Sequence, residues 1–100
     1  METYISNNET QTVISIKGRL DTVNVSDFEK AIAQIISGEM KDVVVDCSAL
    51  DYISSSGLRI FLTLQKTANA KQGKLTIKDM KPEIKEIFDM TGFTALFSFV

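Results

Sequence analysis

The segment Asp42–Cys47, DVVVDC, constrains the fold most, because three consecutive β-branched valines strongly favour a β-strand. A continuous apolar run of this kind is typical of a central strand in a sheet that is covered on both faces. Apolar residues recur at helical spacing on either side of it, over about residues 24–37 and 55–72. Strands that alternate with helices predict an α/β fold with parallel central strands and right-handed crossovers.

The remaining segments complete the order ββαβαβαβ in a mixed sheet, and we expect residues 1–100 to form a single domain. A third helix starts at Pro82, a favoured first helical residue. The other predicted strands, which are short and apolar, are residues 3–6, 12–16, 74–77 and 95–100. The predicted turn and boundary residues are Asn7-Asn8 and Gly18–Asp21 for turns, Asn24 or Ser26 for the first helix cap, and Gly38, Gly73 and Gly92 for helix ends.

The charge, hydropathy and cysteine content exclude several classes of protein. The chain has 11 basic and 13 acidic side chains, and this mildly acidic balance argues against nucleic-acid binding. No segment approaches the roughly 18–20 apolar residues of a membrane span, and the start lacks a signal-peptide pattern, so we expect no direct membrane insertion. A single cysteine, Cys47, excludes an internal disulfide and fits a reducing cytoplasm.

The chain contains no histidine, and this absence weighs against enzymatic activity. Ser-His-Asp and Cys-His nucleophile systems both need an imidazole base. With one cysteine and no histidine, a zinc site of soft ligands is excluded as well. We therefore predict a protein without catalytic residues, cofactor or metal.

Three consecutive serines and a glycine, Ser54-Ser55-Ser56-Gly57, stand where a helix begins after the central strand. A helix start exposes unpaired N–H groups and the positive end of the helix dipole. One serine could cap the helix while the others serve as polar filler. Alternatively, one hydroxyl projects into solvent and accepts a phosphoryl group, which the helix start would accommodate. A nucleophile elbow would need Gly-x-Ser-x-Gly and a base, and both are missing.

The helix that follows the serines has an apolar arc over about half its circumference, which is wider than a surface helix needs. The arc is explained if the helix lies between the sheet and a neighbouring helix. A second interpretation is that its first turn, around Leu58, is a docking surface. Gly57, which lacks a side chain, would then let another molecule approach the backbone closely.

Four motifs, in the same order along nearly the whole chain, resemble the bacterial anti-sigma factor antagonists, which consist of a STAS domain. The motifs are GRLD at 18–21, VVVD at 43–46, YISSSGLR at 52–59 and IFDMTGF at 87–93. The resemblance implies a mixed sheet with helices packed mainly on one side, contrary to the expectation from the valine run.

The resemblance also implies a phosphorylation site. The family pattern is Asp-Ser-Ser-Gly with phosphorylation of the first serine, so matching through Gly57 makes Ser55 the acceptor. Ser54 then replaces the family's aspartate, a change that could either alter kinase recognition or allow Ser54 or Ser56 to compete as acceptor. The partner-binding residues that the resemblance implies are Asp21, Ser54, Ser56, Gly57, Leu58 and Arg59, with Leu58 as anchor and Arg59 at the rim.

The function implied is a partner switch. The unmodified protein would bind an anti-sigma factor that is also a serine kinase, ATP-dependent phosphorylation would release it, and a serine phosphatase would reset the cycle. A different class remains open, in which a STAS subunit regulates a membrane transport system through the same surface without phosphorylation.

Overall fold

The computed structural model describes residues 1–38 and 42–100, which form one five-stranded sheet and three α-helices. In chain order the elements are β1 Glu2–Asn7, β2 Gln11–Leu20, α1 Val25–Ser37, β3 Asp42–Ile53, α2 Ser55–Ala70, β4 Lys74–Lys78, α3 Pro82–Thr91, a 3-10 helix Phe93–Leu96 and β5 Ser98–Phe99. The strands lie side by side in the order β1 to β5. Only β1 and β2 are antiparallel, and all other neighbours are parallel. The predicted mixed α/β sheet is confirmed.

One face of the sheet carries the core. Buried side chains alternate along β3, where Val43, Val45 and Cys47 point toward the helices while Val44 and Asp46 keep partial exposure. The prediction of a sheet covered on both faces is therefore wrong, and the one-sided packing implied by the family resemblance is correct. Valine favours a strand through its branched Cβ whichever face it points to. The run therefore indicated a strand but not whether helices pack on one face of the sheet or on both.

A row of phenylalanine rings joins the helices to the sheet. The ring centroids of Phe61 and Phe88, which lie on α2 and α3, are 5.8 Å apart in an edge contact. Phe88 also makes edge contacts with Phe97 and Phe99, at 5.5 Å and 5.8 Å. Phe28 of α1 lies 6.4 Å from Phe61. Offset and edge contacts at these distances add to the stabilisation from burial.

Two glycines with positive φ lie at irregular points of the backbone, one inside β2 and one at the end of α3. Gly18, at φ +94°, lies within β2 and coincides with a register shift against β3, so the strand continues to Leu20 and the turn starts at Asp21. Gly92, at φ +78°, ends α3 as predicted. The chain then forms a 3-10 turn, so the last strand is shorter than the predicted segment 95–100. Glycine adopts both angles without the steric penalty of a Cβ.

The Phe88→Ala substitution should lower the free energy of unfolding by about 3–5 kcal/mol, because it removes a ring in edge contact with Phe61, Phe97 and Phe99 and leaves a cavity. Urea denaturation followed by circular dichroism measures this loss. The control is Met90→Ala in the same helix, whose side chain is exposed and whose loss should change stability by no more than about 0.5 kcal/mol. Equal effects of the two substitutions would contradict the assigned core.

Candidate functional site

The three serines at the start of α2 have different surroundings. Ser54 is the N-cap residue: its Oγ accepts a hydrogen bond from the Gly57 N–H at 3.2 Å, and its own N–H donates to the Leu20 carbonyl at 2.9 Å. Only 8% of Ser54 is exposed. The capping interpretation is therefore confirmed for Ser54, whose hydroxyl is engaged and inaccessible.

Ser55 is the first residue of the 16-residue helix α2, and it is exposed to solvent. The first turn of α2 contains no acidic side chain, so nothing offsets the positive end of the helix dipole there. Ser56 is half-buried, and Arg59, one turn further along, is exposed. A negatively charged group on Ser55 would therefore meet free N–H groups and a favourable dipole.

Gly57 is needed for close packing against the sheet. A Cβ at this position would lie 2.8 Å from Cγ1 of Ile53 and 3.0 Å from Cδ2 of Leu20. The glycine therefore faces the protein's own core, and the prediction that it opens the backbone to another molecule is wrong. Its role is to let α2 start directly against the ends of β2 and β3, which fixes the position of Ser55.

Leu58 belongs to the core, with 5% of its surface exposed. The broad apolar arc of α2 is buried at Leu58, Phe61, Leu64 and Ala68, as expected for a helix placed between the sheet and its neighbours. The anchoring of a partner by Leu58 stays a prediction, and only 5% of the residue is accessible in the free protein. Of the predicted residues, the structure leaves Asp21, Ser55, Ser56 and Arg59 with exposed or partly exposed surface.

The loop between β2 and α1 lies beside the serines and is fixed by reciprocal hydrogen bonds. Asp21 Oδ1 accepts from the N–H groups of Val23 and Asn24, at 3.0 Å and 3.1 Å. The Asn24 side chain accepts from the Asp21 N–H at 2.9 Å and donates to the Arg19 carbonyl at 2.7 Å. Asn24 thus holds the loop rather than capping α1 with its side chain. Since β2 and β3 are parallel, the loop and the serines follow the carboxyl ends of adjacent strands.

A charged and an aromatic side chain that sequence reasoning missed lie near the carboxyl ends of β2 and β3. The Arg19 guanidinium carbon lies 4.2 Å from the centre of the Tyr52 ring, and Arg19 Nε lies 4.0 Å from Asp21 Oδ2. Arg19 and Tyr52 are register partners on β2 and β3. Sequence reasoning could have brought Arg19 and Tyr52 together only by predicting how β2 pairs with β3. That pairing depends on the register shift at Gly18.

A second charged pair lies next to Tyr52. Lys81, at the start of α3, donates a hydrogen bond to Asp51, and this contact holds the pKa of the Asp51 carboxyl below its usual range. Lys81 is only half-buried and Asp51 is exposed, so the pair is worth little in stability. Its structural effect is to connect α3 to the end of β3.

Chemical groups suited to catalysis or metal binding are scarce near these residues. Among residues 1–38 and 42–100, no group of three or more His, Cys, Asp or Glu side chains is placed to hold a metal ion. Cys47 is buried in the core, where desolvation raises the pKa of its thiol to about 12 and keeps it protonated. In the same described part of the chain, no helix has both the length and the apolar character needed to span a membrane.

Residues 2–100 match the STAS domain family, and the chain belongs to that family. BtrV of Bordetella bronchiseptica, provisionally named an anti-sigma factor antagonist, is 36% identical over 86 residues, covering 85% of this chain and 73% of BtrV. The anti-sigma-B factor antagonist of Staphylococcus aureus is 25% identical over 83 residues, covering 83% of this chain and 77% of the relative.

The same fold is found in solved structures of the anti-sigma factor antagonist SpoIIAA. Its unphosphorylated form superposes with a TM-score of 0.83 and its phosphorylated form, from Bacillus, with 0.77, both at 19% identity. Each comparison covers 99% of this chain, and 88% and 91% of the respective SpoIIAA chains. At this identity the likeness establishes the fold.

The Gly57→Ala substitution should overpack the contact with Leu20 and Ile53 at a cost of about 1–3 kcal/mol. Alanine's better helix propensity offsets about 1 kcal/mol of this cost, so the free energy of unfolding should fall by up to about 2 kcal/mol. Thermal unfolding followed by calorimetry measures the change. Ala70→Gly at the exposed end of the same helix is the control for propensity alone. A Gly57→Ala variant that is more stable than the wild type would refute the close-packing role.

The Lys81→Met substitution should raise the pKa of Asp51 toward its usual value, because the charged hydrogen-bond donor is lost. In the wild type the contact stabilises the ionised carboxylate, so its contribution is present above the ordinary carboxyl pKa and disappears as the pH falls through the lowered value. A carboxyl-carbon NMR titration of both proteins measures the pKa. An Asp51 pKa that is the same in both would show that the pair does not form in solution.

Proposed function

We propose that this protein is a non-enzymatic, cytoplasmic anti-sigma factor antagonist, with residues 1–100 as one domain. In its unmodified form it binds an anti-sigma factor that is also a serine kinase. Phosphorylation of Ser55 by that kinase ends the binding, and a serine phosphatase restores it. The observation that carries the proposal is the exposed Ser55 hydroxyl at the first position of α2, next to a buried capping serine.

The comparisons support this assignment from two directions. BtrV and the Staphylococcus aureus relative are both named as anti-sigma factor antagonists. Each match covers more than four fifths of this chain. SpoIIAA, which shares the fold, has been solved in phosphorylated and unphosphorylated forms. Phosphorylation of a STAS domain is therefore compatible with this fold.

The choice of acceptor follows from accessibility. Ser54 donates its N–H and accepts with its Oγ in contacts that fix the helix start, so modifying it would break the cap. Ser56 is half-buried, whereas Ser55 is exposed. A kinase active site must surround the acceptor hydroxyl, and Ser55 alone among the three serines combines exposure with freedom from a capping role.

The switch operates through desolvation at an interface. A phosphoserine carries a charge of about −2 at neutral pH. In free solution that charge is hydrated and lies at the favourable end of the α2 dipole, so the fold tolerates it. When a partner covers Ser55, the charge loses its water, and the uncompensated penalty lowers affinity by roughly a hundredfold or more.

The test is to incubate the protein with each purified anti-sigma factor encoded in the same genome, with and without Mg-ATP. We expect one of them to bind the unmodified chain and to place a single phosphate on Ser55, which mass spectrometry of the digested protein locates. Ser55→Ala should bind without becoming phosphorylated, and Ser55→Asp should bind roughly a hundredfold more weakly. Ser6→Ala, which alters an exposed serine paired with Val13 near the amino end of β2, is the matched control and should behave as the wild type.

Two outcomes would overturn parts of the proposal. A phosphate found only on Ser54 or Ser56 would refute the choice of acceptor. Failure of every anti-sigma factor to bind would refute the antagonist function, and unaltered binding by Ser55→Asp would favour a STAS subunit that works without phosphorylation.

A further inference from the structure

The helices formed by residues 1–38 and 42–100 pack on one face of the sheet, and we call the other face of the sheet the open face. Along β3 and β4, side chains buried against the helices alternate with exposed or half-buried side chains that point to the open face. The strands β2 to β5 are all parallel to their neighbours. Because parallel sheets occur almost only where both faces are covered, the open face is a candidate contact surface.

Charges of opposite sign lie in two adjacent columns at the centre of the open face. On β3 the column is acidic and on β4 it is basic, and the charged residues are register partners: Asp42 with Lys74, and Asp46 with Lys78. Between these charged pairs, Val44 is the register partner of Thr76. Among the described residues, none of the four charged side chains forms an ion pair within the chain. Their charges are therefore available to a partner molecule.

This charge pattern is complementary to itself. A two-fold axis that runs parallel to the strands, between β3 and β4, places β3 of one copy over β4 of a second copy. Each acidic column then faces a basic column, with Asp42 over Lys74 and Asp46 over Lys78 of the other copy. An axis along β3 itself would bring aspartate onto aspartate, and an axis along β4 would bring lysine onto lysine.

The size of the side chains permits this contact. Two sheets that pack face to face lie about 10 Å apart, with strand directions within about 30° of each other. Val44 and Thr76 at the centre are short, and so are Val13 and Ser98, which lie in the same row on β2 and β5. A long lysine side chain can reach an aspartate across that distance, whereas the short side chains between them let the two sheets approach.

We propose that the protein forms a two-fold symmetric dimer through the open face, held by reciprocal ion pairs between the acidic column of β3 and the basic column of β4. The occupant of the open face is thus a second copy of this chain. This inference does not depend on the proposed function. Ser55 lies at the start of a helix that packs on the opposite face of the sheet, so the dimer leaves its hydroxyl exposed.

Sedimentation velocity of the wild-type chain, from micromolar to millimolar concentration, tests whether the dimer exists. We expect the monomer to convert to a dimer as the concentration rises. The conversion should need more protein at high salt, because screening weakens the ion pairs. A chain that stays monomeric at every concentration and at low salt would refute the proposal.

Charge reversal tests whether the open face is the interface. Asp46→Lys and Lys78→Asp each place like charges together at two symmetric contacts, so each should weaken association by at least about tenfold. The matched controls are Glu29→Lys and Lys30→Asp, which make the same changes of net charge at exposed positions of α1. At physiological salt they should change association by less than about twofold, because charges far from the contact are screened.

Mixing the two open-face variants gives the sharpest result. In a dimer of one Asp46→Lys chain with one Lys78→Asp chain, both symmetric contacts again join a lysine to an aspartate. The mixture should therefore associate about as strongly as the wild type, although neither variant does so alone. A misfolded variant could not be rescued in this way. Failure of the mixture to associate would refute the pairing of β3 with β4, and equal losses in the α1 controls would show an effect of net charge alone.

The dimer and the proposed function fail separately. If the chain stays monomeric while an anti-sigma factor binds it and phosphorylates Ser55, the dimer is refuted and the proposed function stands. If the chain dimerises as described but no anti-sigma factor binds it, the proposed function is refuted and the dimer stands.

Discussion

The close contact between Gly57 and the side chains of Leu20 and Ile53 governs the geometry of the site. Because no Cβ intervenes, the first turn of α2 rests directly on the ends of two parallel strands. The hydrogen bond from the Ser54 N–H to the Leu20 carbonyl then continues the pairing of β2 and β3 into the helix start. The position of Ser55 is thus determined by the core rather than by a flexible loop, and its hydroxyl keeps a fixed relation to the edge of the sheet.

Because Gly57 packs so closely on the strand ends, the three consecutive serines have different surroundings. Ser54 is drawn inward by its capping bond, Ser55 is left at the surface, and Ser56 begins to turn back toward the protein. The same inward orientation takes Leu58 into the core. A helix that packs so closely along one face exposes little apolar surface near its start.

The sequence predicted the features that depend on local chemistry, namely the strand at Val43–Cys47, the capping serine and the glycine that ends α3. It did not predict the features that depend on which helices and strands pack against one another. The valine run could not distinguish a strand covered on one face from one covered on both, and the apolar character of Leu58 did not reveal whether it was core or contact surface. The Arg19–Tyr52 stack could not be found, because its register depends on the irregularity at Gly18.

The serine at position 54 also bears on how the site tolerates charge. The family pattern that the sequence resembles has an aspartate there, whereas Ser54 provides the cap without adding a negative charge. A phosphate on Ser55 would therefore have no buried carboxylate as its immediate neighbour, and the unpaired N–H groups of the helix start would face it unopposed. The modified protein should retain its fold for this reason. Under the proposed function, phosphorylation would therefore act on the complex, where the charge is desolvated, rather than on the stability of the free domain.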